Sequence, residues 1–144
     1  MRLKVLLALA AVSCMIVPRI EAEQCQNSDL NGHYSFLVSG TFQGQPFAAS
    51  GQTLYHGDGT AEGVIQASVG GEILPVASWT ATYSLSQMKT DTGGTVCVLT
   101  KTITVKDYGP LTISFFGSAG DDFKELRFIT TDSGTTISGT ARKQ

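Results

Sequence analysis

Residues 48–69 constrain this chain more than any other stretch. Two runs suited to extended backbone flank Gly57-Asp58-Gly59. An Asp-Gly pair between such runs is a strong hairpin signal. The turn needs positive φ, which Gly adopts without steric cost and Asp tolerates. The remainder of the chain repeats that grammar, one extended run and then one Gly-bearing turn.

Period-2 alternation marks the runs as strands. The first, residues 33–39, sets Tyr34, Phe36 and Val38 on one face. Strands at 47–56 and 60–69 join through the Asp-Gly turn, and a short run follows at 72–76, where Pro75 argues for an edge or a bulge. Residues 78–87 alternate Trp79, Ala81, Tyr83 and Leu85 with Thr and Ser, and residues 95–106 place Cys97, Leu99, Lys101, Ile103 and Val105 together. Strands at 111–117, 125–131 and 135–141 complete the series, while the polar residues 118–124 predict one helical turn capped by Asp121 or Asp122. No stretch after residue 22 sustains a 3.6-residue apolar period. The chain is therefore all-β: a closed antiparallel up-and-down β-barrel of about eight strands, with a β-sandwich as the alternative. Hairpin-short connections favour the barrel, because Greek-key sandwiches need longer crossovers.

The first residues read as an address. Arg2 and Lys4 precede a nearly unbroken apolar run, and Ile20-Glu21-Ala22 ends on a small residue, which predicts a signal peptide over 1–22 and a single domain over 23–144. The apolar run is shorter than the roughly 20 residues that span a bilayer. Cys14 is a lipidation alternative, but the apolar run continues past it through Val17. The chain's formal net charge of −2 becomes about −4 once Arg2, Lys4, Arg19 and Glu21 are removed. With no basic cluster, that balance argues against nucleic acid and anionic membrane surfaces. Cys25 and Cys97 remain, and a pair in an exported chain predicts a structural disulfide and a secreted or periplasmic location.

The segments Leu30-Asn31-Gly32-His33-Tyr34-Ser35-Phe36, Ala48-Ala49-Ser50-Gly51, Gly57-Asp58-Gly59 and Ala81-Thr82-Tyr83-Ser84-Leu85, followed by Cys97, carry a resemblance. The layout resembles that of small exported bacterial proteins similar to barrels of the allene oxide cyclase and dirigent type, in the wider lipocalin-like group. The resemblance implies a barrel, and with it either a ligand carrier or a cyclase that folds its substrate in an apolar interior. No catalytic residue of those enzymes finds a matching motif in this sequence.

Few residues here are suited to chemistry. His33 and His56 match no zinc spacing, the aspartates fall in turns, and no nucleophile elbow, P-loop or dinucleotide fingerprint is present, so no metal or cofactor is expected. If the aromatic faces turn inward, Tyr34, Tyr55, Trp79, Tyr83, Phe115 and Phe128 line one interior. That lining suits a small apolar or amphipathic ligand, since Tyr and Trp join a large apolar face to a polar tip. The competing reading is that the rings simply fill a small barrel. A carboxylate among those rings would have a raised pKa and could act as a general acid, and Glu62, mid-strand, is the candidate. Three functions follow: an exported ligand binder, a cyclase or isomerase, or a structural or adhesive surface protein with a filled core.

Overall fold

The computed structural model describes residues 25–109 and 111–144; the signal peptide expected over 1–22 and Cys14 lie outside them. Among the described residues the strands are β1 (Asn31–Phe42), β2 (Gln45–His56), β3 (Thr60–Val69), β4 (Glu72–Ile73), β5 (Ala77–Lys89), β6 (Thr95–Val105), β7 (Leu111–Gly120), β8 (Glu125–Thr130) and β9 (Thr135–Lys143). All pairings are antiparallel. The pairing of β2 with β3 closes a ring of eight strands, and β4 is a short flank on β3. Closure removes the long exposed edges of an open sheet, and the architecture is a barrel, not a sandwich.

Sequence parity dictates which side chains enter the ring. Along β5, Ala77, Trp79, Ala81, Tyr83 and Leu85 are buried and the residues between them exposed. The β2–β3 turn forms as its residues require: Gly57 and Gly59 take φ of +78° and +92°. Asp58 Oδ1 accepts hydrogen bonds from the Thr60 backbone N–H at 2.8 Å and hydroxyl at 2.6 Å. Those two bonds hold the exposed Asp58 carboxyl below its usual pKa.

Inward glycines make room for the large rings. At Gly63 a Cβ would stand 1.9 Å from the Gln52 carbonyl oxygen and 2.5 Å from Trp79 Cζ2. A similar crowding holds at Gly51 beside Phe36 and at Gly117 beside Phe128. These positions let neighbouring strands approach closely beside the large rings.

Two local expectations are corrected. The helical turn over 118–124 does not form: β7 continues to Gly120 because Ser118 and Ala119 pair with both β6 and β8. Asp121, Asp122 and Phe123 then turn the chain with φ of 51°, 51° and 63°. The run expected over 72–76 shrinks to two residues. Pro75 has no N–H to give a ladder, and its carbonyl instead accepts the Tyr108 hydroxyl at 2.6 Å.

One end of the ring is sealed by the N-terminal arm. A single 3-10 turn (Asn27–Asp29) leads into Leu30, which is fully buried among Tyr34, Tyr83, Leu85 and Leu126. The Tyr83 hydroxyl donates to the carbonyls of Asn27 and Leu30, each at 3.0 Å, and Asn27 Oδ1 accepts the Leu85 N–H at 2.8 Å. Cys25 and Cys97 form the disulfide, with Cα atoms 5.3 Å apart and a sequence separation of 72. Cross-linking so long a loop stabilises by about 4 kcal/mol on a chain-entropy argument. At the far end Phe42, Val69, Leu74 and Tyr108 pack over a second cluster of Val38, Phe47, Ile113, Phe115 and Ile137.

Candidate functional site

Between the two ends the interior encloses a cavity of about 50 Å³. Its walls are almost entirely apolar and include Phe36, Ile65, Ile103, Phe115 and Phe128. Against drug-sized pockets of roughly 300–1,000 Å³ this is small, so most of the barrel is filled by its own side chains. The space suits water or a molecule of a few heavy atoms.

One cationic side chain breaks the apolar lining. Lys101 lies mid-β6, opposite Tyr83 on β5 and Phe115 on β7, and it lines the cavity. Its Nζ donates to the Tyr55 hydroxyl at 3.0 Å and stands 4.7 Å from the Tyr55 ring centre and 4.6 Å from that of Trp79. The ion pairs among the described residues join Glu125 to Arg127 and Arg142, and Lys101 has none. Lys101 as a residue is only partly buried, since it borders the cavity, yet its amine is enclosed enough for burial to bring the pKa down to about 7. The ring faces oppose that shift, because they favour the ammonium. Desolvated cation–π contacts contribute about 2 kcal/mol or more each, against a desolvation cost of several kcal/mol, so they offset part of the shift that burial causes.

The groups around the amine are equally unusual. Burial, reinforced by Tyr34 and Tyr83, raises the Tyr55 pKa so far that its phenol stays protonated at physiological pH. The three tyrosine rings meet edge to face, Tyr55 lying 5.2 Å from Tyr34 and 5.1 Å from Tyr83. Trp79 Nε1 is buried and has no hydrogen-bond partner among the described residues. A buried donor left unpaired costs about 1–3 kcal/mol and calls for an explanation.

All six aromatic residues named from the sequence face inward, but they divide. Tyr55, Trp79, Phe115 and Phe128 line the cavity. Tyr34 and Tyr83 instead belong to the sealed end, where the Tyr34 hydroxyl donates to the Phe123 carbonyl. Glu62 is exposed on the outer face, paired with Leu54 and Thr80, so it does not sit among the rings as its candidacy as an acid required. It borders an open surface groove of about 540 Å³ that also touches His33, Lys106 and Asp107. His33 and His56 are both exposed, and among the described residues no three His, Cys, Asp or Glu side chains gather as a metal site would need. Lys101 is the residue that sequence reasoning passed over. Its signal was its parity with Cys97, Leu99, Ile103 and Val105.

No family model matches the chain. Nor does any curated protein. Among solved structures the chain is similar to a redesigned β-barrel, mFAP1, bound to DFHBI, at 15% identity and a TM-score of 0.54, over 81% of this chain and 97% of that one. At that identity the likeness establishes the barrel fold. Among the described residues, no helix is long and apolar enough to cross a membrane.

Proposed function

We propose that this protein is an exported barrel that holds a small amphipathic molecule in its interior. The molecule's polar end meets Lys101, Tyr55 and Trp79, and its apolar part lies against Phe36, Ile65, Phe115 and Phe128. The observation that carries the reading is a lysine amine set without a counter-charge in an apolar cavity, beside an unpartnered indole N–H. A structural or adhesive protein with a solid core has no use for either group, since both cost stability when buried. The cyclase reading has less to support it, because among the described residues no carboxylate lines the cavity. Export is supported by the Cys25–Cys97 disulfide, which persists in oxidising compartments.

Trp79 is the chain's single tryptophan, so the emission comes from one ring that lines this cavity and also borders the outer groove. Titrating the purified protein with 1-butanol is expected to change that emission saturably, with a smaller response in an Ile65→Phe variant whose added ring narrows the space and adds no second tryptophan. A strictly linear response, equal in both proteins, would refute ligand binding.

A further inference from the structure

We infer that Lys101 is a carbonyl-capture site: its Nζ condenses with a small aliphatic aldehyde held in the barrel cavity, giving an imine. This deepens the binding reading above and rests on it.

The geometry supplies what the step needs. Nζ borders an apolar space that accepts a few heavy atoms, and among the described residues no carboxylate stands by to fix it as an ammonium. With its pKa near 7, a large share of the amine is uncharged and nucleophilic at neutral pH. The nitrogen lone pair attacks the carbonyl carbon and forms a C–N bond. One N–H proton passes to the new oxygen to give a carbinolamine, the second joins the hydroxyl as the C–O bond breaks, and one water leaves, so that amine plus aldehyde gives imine plus water. No electrons change hands. The Tyr55 hydroxyl, 3.0 Å from Nζ, donates a hydrogen bond to the imine nitrogen, a role open to a phenol that stays protonated. If the imine takes up a proton, the faces of Tyr55 and Trp79 meet the resulting cation as they meet the ammonium. Apolar walls also disfavour the reverse reaction, because hydrolysis needs water where little fits.

The exposed lysines Lys89, Lys106, Lys124 and Lys143 are internal controls. The protein is incubated with butanal and sodium cyanoborohydride near pH 7, and the secondary amines are mapped by peptide mass spectrometry. An ordinary lysine, with a pKa of about 10.4, is uncharged there in only about one molecule in two thousand. Even after a loss for restricted access, Lys101 is therefore expected to label roughly tenfold faster than each exposed lysine. That excess should fall away as pH approaches 10, and Lys101→Met should abolish it while leaving the other sites unchanged. Labelling of Lys101 no faster than of the exposed lysines overturns the inference. If 1-butanol still perturbs Trp79 saturably in that case, the binding reading survives and only imine capture is lost. If it does not, both fail.

Discussion

The two halves of the barrel interior are built from similar side chains yet satisfy their polar groups differently. At the sealed end each tyrosine hydroxyl finds a backbone carbonyl: Tyr34 reaches Phe123, and Tyr83 reaches Asn27 and Leu30. Leu30 and Leu126 are fully buried there, and a disulfide ties the arm to β6. Around the cavity, beside Thr53 and the Tyr55 hydroxyl, stand a lysine with no counter-ion and an indole N–H with no partner among the described residues, and Phe36, Ile65, Ile103 and Phe128 are only partly buried. The first half is organised for stability. The second gives up stability around an enclosed amine that borders the cavity, a departure from local consistency of the kind found where a protein binds or reacts.

Removing the sealed half's cross-link should have the largest effect. Cys25→Ser with Cys97→Ser is expected to lower unfolding free energy by about 4 kcal/mol in denaturant titrations. The cavity half should respond in the opposite sense. Lys101→Met replaces an enclosed amine with an apolar chain of similar length and should raise stability by about 1–3 kcal/mol. The pH dependence follows from the same residue. Its folded pKa of about 7 lies below the unfolded value, so between the two the unfolded chain binds more protons. Stability is therefore expected to climb as pH rises from about 7 toward 10, and the lysine's share of that slope should vanish in Lys101→Met. If the variant instead loses stability, the contrast between the halves is wrong.

Tyr83→Phe leaves the carbonyls of Asn27 and Leu30 without their shared donor and should cost about 1–2 kcal/mol, measurable by thermal unfolding. The smallest effect is expected at the turn after β7. Asp122→Gly relieves an exposed residue held at φ 51° and should add a few tenths to about 1 kcal/mol.

What the sequence made legible was whatever depends on local geometry. Gly57-Asp58-Gly59 declared its turn, and parity alone turned Tyr34, Trp79 and Phe115 inward. Parity also placed Lys101 inside, but a lysine on a strand is ordinarily solvated, and only the closed ring removes that option. The Asp121–Phe123 turn was illegible because it exists through tertiary contacts: Phe123 packs on the core, and its carbonyl takes the Tyr34 hydroxyl. The extension of β7 through Ser118 and Ala119 likewise comes from partners on both sides, not from strand propensity. Cavity size is the sum of side-chain volumes over eight strands, and no single segment encodes it. Glu62 was misplaced for a simpler reason. Its neighbours Ala61 and Gly63 hold the inward positions, the second reserved for the Trp79 ring.

The central claim, that an amine titrating near neutrality stands against the lone tryptophan inside the barrel, is open to one direct measurement. Trp79 emission followed from about pH 5 to 9 should pass through a single transition centred near 7, and Lys101→Met should erase it. An emission that stays flat across that range, or a transition that survives the substitution, would contradict the account.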